Sequence, residues 1–168
     1  LLAAFMMVSW DLSFEPIFST INHAWIWLDG GSYFGVPFSN FLGWLLTTFV
    51  FLQLFALYLK GRPNVQSTDE QPSRIQSLQA ILFYGLIAAV YLLNNLTRDM
   101  SGTVTDPAGV VWRLQDIYSV TGLVTIFTMG AFTVLGLVKL MEVSPEAQTA
   151  PTETTSRAAP YNLTHQLD

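Results

Sequence analysis

The chain has 168 residues, of which 51% are hydrophobic and only 11% are charged. Soluble domains carry roughly 25% charged residues, so this composition argues against an ordinary soluble enzyme. The absence of cysteine excludes disulfides, thiolate catalysis and cysteine-ligated metal sites. The net charge of −5 and the lack of a basic run argue against nucleic acid as a partner.

Three long stretches without charged residues predict helices that cross a membrane. They run from Pro37 to Leu59, from Ile75 to Thr97 and from Ile117 to Val138. Each exceeds the ~20 residues that a helix needs to cross a hydrocarbon core. Leu1–Trp10 is also uncharged but is too short to span. We interpret it as the end of a fourth spanning helix, and the chain as the C-terminal fragment of a longer protein.

The connections between these stretches differ in character. The first, Asp11–Val36, contains an uncharged piece from Pro16 to Leu28, which is too short to span and suits an interfacial or re-entrant helix. The second and third connections, residues 60–74 and 98–116, hold turn residues and mixed charges and are expected to be solvated loops. In the third, Asp99 and Asp106 are interpreted as solvated loop charges.

These patterns together predict an all-α fold, a polytopic membrane helix bundle. Its membrane domain covers residues 1–141 and is incomplete at the N-terminus. It contains three complete transmembrane helices, the end of a fourth and the short interfacial or re-entrant segment. Residues 142–168 are rich in Ser, Thr, Pro, Ala and Glu, which predicts a disordered tail. The sequence does not define an oligomeric state.

Lysine and arginine predict the orientation, because they accumulate on the cytoplasmic side of a membrane. One side of the predicted bundle carries Lys60, Arg62, Arg74, Lys139 and Arg157, whereas the other carries Arg98 and Arg113. We therefore expect a multi-pass protein of the cell membrane with a cytoplasmic tail. The first and third connections then face outward.

Two acidic residues, Asp11 and Glu15, directly follow the first membrane segment and are candidates for catalysis. Their spacing of four would place them on one face of a helix, but Pro16 disfavours a helical Glu15, so we expect the helix to end between them. Two nearby carboxylates in an apolar site do not both ionise easily, and the pKa of one rises. The pair could thus supply a neutral carboxylic acid near neutral pH, as a general acid requires. The alternative is that both bind Mg²⁺.

Aromatic residues are concentrated between Trp10 and Trp44, the region that contains both acids and four of the five tryptophans. An aromatic belt at the membrane interface would explain them, but not the glycines, proline and acids between them. Polar and small residues also share faces of the spanning helices, where helix packing is one interpretation and cavity lining the other. On the second complete span they are Tyr84, Ala88, Tyr91 and Asn95.

A longer motif follows these acids. From Gly30 to Trp44 the sequence reads GGSYFGVPFSNFLGW, and it is preceded by Trp10-Asp11-Leu12, Glu15-Pro16 and Trp25-Ile26-Trp27. This arrangement resembles a family of membrane carotenoid biosynthesis proteins. Its characterised members are carotenoid 1,2-hydratases, including the bisanhydrobacterioruberin hydratase of halophilic archaea. Glu15 stands where the family motif has aspartate, and Phe34 stands where it has a second tyrosine.

The resemblance implies a hydro-lyase that adds water to the terminal C1=C2 double bond of a carotenoid end group. Protonation of C2 would give a cation at C1, which water then captures. Asp11 or Glu15 would be the proton donor. The implied substrate-binding residues are Trp25, Trp27, Tyr33, Asn40 and Trp44, of which the aromatic ones stabilise the cation and Asn40 or Tyr33 positions water. The implied partners are a carotenoid and the lipid bilayer, with no metal or other cofactor.

Two other functions remain open from the sequence. A Mg²⁺-dependent membrane prenyltransferase acting on carotenoids would use Asp11 and Glu15 to hold metal and diphosphate, although few basic residues face these acids. A non-enzymatic structural or transport protein of the membrane would use the aromatic residues only as a belt.

Overall fold

The protein, described at residues 1–62 and 72–142 by a computed structural model, is built almost entirely of helices. The helices are α1 (Leu2–Glu15), α2 (Phe38–Lys60), α3 (Arg74–Thr97), α4 (Leu114–Thr125) and α5 (Ala131–Glu142). Short π-helical segments follow α1 and α4, at Pro16–Ile21 and Ile126–Gly130. Strands β1 (Thr103–Thr105) and β2 (Val111–Arg113) form an antiparallel hairpin. The tail predicted to be disordered lies, from residue 143 onward, outside the described residues.

Three helices of the described chain are long and apolar enough to cross a membrane, which confirms the three predicted spans. They are Phe38–Lys60, Arg74–Thr97 and the continuous helix Leu114–Glu142. The last is 29 residues long because α4, the second π segment and α5 follow one another without a break. Helix α1 has 14 residues and is too short to span by itself.

The predicted end of α1 between Asp11 and Glu15 is wrong. Glu15 has helical angles, with φ −54° and ψ −48°, and the chain continues into a π turn in which the N–H of Asn22 donates to the carbonyl of Ile17. A wider turn accommodates the ring and the missing N–H of Pro16 without ending the helix. Asp11 and Glu15 therefore remain one turn apart on the same helix face. Of the predicted segment 16–28, only Pro16–Ile21 is helical.

Helix α1 is the central element of the bundle and contacts α2, α3 and α4. The hydroxyl of Tyr84 donates to the carbonyl of Met6 at 2.8 Å, and the indole N–H of Trp10 donates to the hydroxyl of Tyr91 at 3.3 Å. Since Met6 and Trp10 of α1 meet Tyr84 and Tyr91 of α3 in the same order, α1 and α3 run in the same direction. The polar face predicted on α3 takes part in helix packing, and its Tyr84 also lines a cavity.

The third connection is more ordered than a solvated loop, because it contains the hairpin. Its Asp106 was interpreted as a solvated charge, but it is 4% exposed. The ring of Trp112 packs against Phe34 of the first connection in a T-shaped arrangement, with 5.4 Å between ring centroids. Asp99 is exposed, as predicted. The first and third connections therefore lie on the same side of the bundle and pack against each other.

Gly31 allows the first connection to fold back on itself, which gives a prediction for stability. Tyr33 and Val36 form an antiparallel bridge, and a Cβ on Gly31 would lie 2.1 Å from the carbonyl carbon of Val36. Gly31→Ala should lower the free energy of unfolding by roughly 3 kcal/mol. Gly43→Ala is the matched control, since a Cβ there meets nothing within 4 Å. Thermal unfolding of both variants in detergent should separate them, and equal midpoints would contradict this interpretation.

Candidate active site

A cavity of about 420 Å³ lies between α1, the chain that follows it and the beginning of α2. Its walls are formed by Met7, Trp10, Asp11, Phe14, Glu15, Trp25, Trp27, Asn40 and Trp44. The structure therefore brings together all of the site residues predicted from the sequence except Tyr33. They converge because the π segment and the loop after it return the chain to the end of α1, next to the first turns of α2.

Asp11 lines this cavity, lies outside the three spanning helices and is 1% exposed. The side-chain N–H of Asn40 donates to its Oδ2 at 2.9 Å. Burial, and after it the negative charge of Glu15, raise the pKa of Asp11 to about 7, although the hydrogen bond from Asn40 opposes the increase. Near neutral pH, Asp11 therefore carries a proton in a large fraction of molecules. Because Oδ2 accepts from Asn40, a proton on Oδ1 leaves this hydrogen bond intact.

Glu15 is held by two tryptophans in an arrangement that the sequence analysis missed. Its Oε1 accepts the indole N–H of Trp25 at 2.7 Å and that of Trp27 at 2.8 Å, and its side chain is almost fully buried. An indole N–H only donates, so both rings are oriented by the carboxyl group. The available signal was that an indole N–H can only donate a hydrogen bond and that Glu15 is the nearest preceding acid.

Aromatic rings cover the walls around the two acids. Phe14 stacks on Trp10 with 5.5 Å between centroids and packs against Trp25 in a T-shaped arrangement with 5.9 Å between centroids. Trp10 and Phe14 were not among the predicted site residues. Phe14 is three residues from Asp11 and four from Trp10, so the helical period could have identified both, because residues three or four apart on a helix share a face.

Tyr33 is placed elsewhere, although the sequence analysis put it with the substrate-binding residues. Its hydroxyl donates to the carbonyl of Leu12 at 2.9 Å, and its ring packs against Phe41 in a T-shaped arrangement. It lines a second, apolar cavity of about 420 Å³ on another side of α1, together with Val8 and Phe5. Burial raises the pKa of Tyr33 to about 12, so its hydroxyl stays protonated and fixes the loop to α1.

In the part of the chain that the structure describes, Asp11 and Glu15 do not belong to a larger cluster of potential metal ligands. Within residues 1–62 and 72–142, no three Asp, Glu or His side chains lie together as potential metal ligands. Asp29, the third acid of the first connection, is exposed and does not line the cavity. What the cavity combines is a buried acid, a second carboxyl group, an amide and a set of aromatic rings.

The sequence profile of the carotenoid biosynthesis protein family matches residues 1–105. The chain belongs to this family. The match contains the whole candidate site, from α1 to the beginning of α2. Searches of curated proteins and of solved structures found no match. The family indicates a role in carotenoid biosynthesis, and the three apolar helices are compatible with a lipophilic substrate in a bilayer.

Proposed function

We propose that the protein adds water to the terminal C1=C2 double bond of an acyclic carotenoid end group, with Asp11 as the proton donor. The observation that carries this proposal is the nearly complete burial of Asp11 in an aromatic-lined cavity, hydrogen-bonded through only one of its oxygens to Asn40. The role of the family in carotenoid biosynthesis supports a carotenoid substrate, and the buried acid of the cavity supports protonation of the end group.

The size of the cavity fits an end group rather than a whole polyene. A volume of about 420 Å³ is typical of sites for small ligands, so the remaining chain would extend outside it. The spanning helix α2 begins beside the cavity and exposes apolar side chains along its length, including Leu46, Val50 and Phe51. The polyene would lie along such a surface within the hydrocarbon region.

In the first step Asp11 protonates C2. The electron pair of the C1=C2 bond forms the new C2–H bond, the O–H bond at Oδ1 breaks, and C1 becomes a tertiary cation. The faces of Trp10, Phe14 and Trp25 stabilise this cation by about 2 kcal/mol each when water is excluded. The carboxylate left on Asp11 and the negative charge of Glu15 act in the same direction.

In the second step water captures the cation. A lone pair of the water oxygen forms the C1–O bond, and the proton that this oxygen loses returns to the carboxylate of Asp11. Because the amide nitrogen of Asn40 is bonded to Asp11, its amide oxygen is available to orient the water. The sum is the addition of one water molecule with no transfer of electrons, and Asp11 is regenerated.

We also propose the orientation in the membrane. Lys60, Arg62 and Lys139 lie at the ends of spanning helices that point away from the candidate site. Because such residues accumulate on the cytoplasmic side, the site would face the outer side of the cell membrane and the tail would be cytoplasmic.

A mass measurement of pigment end groups tests the function. Membranes from a carotenoid-free host that expresses the chain are incubated with an acyclic carotene, and the products are compared with those of membranes containing Asp11→Asn. The proposal expects a mass gain of one water per modified end. A gain of one isoprenoid unit would instead indicate a prenyltransferase, and unchanged pigment would indicate a structural or transport protein.

Removal of divalent metal gives a further prediction. Proton transfer from Asp11 needs no metal, whereas a diphosphate substrate calls for Mg²⁺ and basic side chains beside it. No Lys or Arg is among the cavity residues that the structure describes, and Arg113 is paired with Asp116 at 2.8 Å. Water addition should therefore survive EDTA. Activity lost with EDTA and restored by Mg²⁺ would favour the prenyltransferase and count against Asp11 as the acid.

A further inference from the structure

The hairpin of β1 and β2 carries a buried carboxylate that the proposed reaction does not use. Asp106 accepts the backbone N–H of Val110 through Oδ1 at 2.9 Å and the indole N–H of Trp112 through Oδ2 at 2.8 Å. Burial of a carboxylate is costly unless its oxygens are hydrogen-bonded. These two donors therefore hold the Asp106 side chain in one orientation.

The same side chain lies against glycines of the first connection. A Cβ on Gly35 would lie 3.0 Å from the Cβ of Asp106, and a Cβ on Gly30 would lie 2.7 Å from the Cβ of Ala108. The φ angles of Gly35 and Gly30 are 85° and 63°, which residues with a side chain adopt at a cost. The loop is thus shaped to receive the hairpin at close range.

Two routes connect this contact to Glu15. On one side, the N–H of Gly30 donates to the carbonyl of Trp27 at 3.0 Å, and the indole of Trp27 donates to Glu15. On the other side, the hydroxyl of Thr20 donates to the carbonyl of Phe34, and Thr20 belongs to the π segment that directly follows Glu15. A displacement of the hairpin would therefore act on the indole of Trp27 by the first route and on the segment between Glu15 and Trp25 by the second.

We propose that Asp106 is a positioning residue. It holds the hairpin on the part of the first connection that contains Gly30 and Gly35, the glycine loop, and thereby keeps Trp25 and Trp27 in place as hydrogen-bond donors to Glu15. Asp106 does not line the cavity, so it acts through these residues. Its importance for catalysis rests on the proposed function, whereas its effect on the two tryptophans does not.

Asp106→Asn tests this at nearly constant size. The amide has one acceptor oxygen and one donor group, so it cannot accept from both Val110 and Trp112 as the carboxylate does. In the full chain in detergent micelles, NMR measures solvent exchange of the indole N–H of Trp25 and Trp27, with signals assigned from Trp→Phe variants. We expect roughly tenfold faster exchange in Asp106→Asn, as loss of about one hydrogen bond would give.

Asp99→Asn is the matched control. Asp99 lies in the same connection, is exposed and accepts a hydrogen bond from the N–H of Ser101, but it does not touch the glycine loop. Its variant should leave exchange at Trp25 and Trp27 unchanged. Equal acceleration by Asp99→Asn and Asp106→Asn would overturn the proposal, because the effect would then not depend on the buried contact.

Trp112→Phe keeps the test valid if Asp106→Asn does not fold. Phenylalanine retains an aromatic ring against Phe34 but removes the donor to Asp106. We expect a smaller acceleration of exchange at Trp25 and Trp27. Wild-type exchange rates at both tryptophans in Trp112→Phe and in any folded Asp106→Asn would overturn the proposal.

A kinetic measurement separates positioning from a purely structural role. Per folded molecule, Asp106→Asn should lower kcat for water addition more than it raises KM. A purely structural role would reduce only the amount of folded protein, and unchanged kcat per folded molecule would contradict positioning. Failure of the wild-type protein to add water would overturn the proposed function, while the exchange measurements would still decide the role of Asp106.

Discussion

Asp11→Asn should reduce water addition by roughly 10²- to 10⁴-fold, the usual contribution of a general acid. Asparagine has nearly the same size as aspartate, and its amide oxygen can still accept the hydrogen bond that Asn40 donates to Oδ2 at 2.9 Å. The fold and the cavity should therefore persist. The variant lacks only the proton that the reaction delivers to C2. The measurement is the initial rate of formation of hydroxylated carotenoid per amount of inserted protein.

Asp99→Asn again provides the control, because it makes the same chemical change at an exposed position. It should leave the rate within the error of the assay. Detergent extraction and thermal unfolding establish that Asp11→Asn is inserted and folded. Near-normal water addition by a folded Asp11→Asn protein would remove Asp11 from the mechanism.

Glu15→Gln should shift the pH dependence of the reaction to lower pH. The pKa of Asp11 is about 7, and the charge of Glu15 is one cause of that value. Since protonated Asp11 is the active form, the rate falls as pH rises through this pKa. Glutamine removes the charge, so the pKa of Asp11 falls and the decline begins at lower pH. At neutral pH the rate should drop roughly fivefold for a shift of about one pH unit, because the protonated fraction of Asp11 falls from about a half to about a tenth, and acidification should restore part of it.

Glutamine is a useful replacement because its amide oxygen still accepts from both indoles. Glu15→Asp is the control that keeps the charge, and its rate should decline over nearly the wild-type pH range. The profiles require rates measured across a pH series at saturating carotenoid. A Glu15→Gln profile that coincides with the wild-type profile would show that the charge of Glu15 does not act on Asp11.

The spanning helices could be predicted because the signal is local. A run of about twenty uncharged residues is long enough to cross the hydrocarbon core whatever its neighbours are, and α2, α3 and the helix Leu114–Glu142 follow such runs. The acid pair could also be located, since Asp11 and Glu15 are four residues apart. What failed was the rule that a proline ends a helix, because Pro16 is accommodated in a π turn.

The hydrogen-bond partners could not be predicted, because they depend on how distant segments return to one another. Asn40 reaches Asp11 across 29 positions of the chain, and Trp112 reaches Phe34 across a still longer interval. Tyr33 shares its motif with Asn40, yet the turn at Gly35 directs it to another side of α1. A short motif therefore identified most of the cavity residues without showing which of them face the acids.

Isotope labelling tests the central claim most directly. Membranes containing the wild-type protein are incubated with an acyclic carotene in deuterium oxide, and in a parallel sample in water labelled with heavy oxygen. Protonation by Asp11, whose proton exchanges with solvent, should place one deuterium on C2, and capture of the cation should place solvent oxygen on C1. A modified end group without solvent deuterium on C2, or without solvent oxygen on C1, would contradict the proposed addition of water.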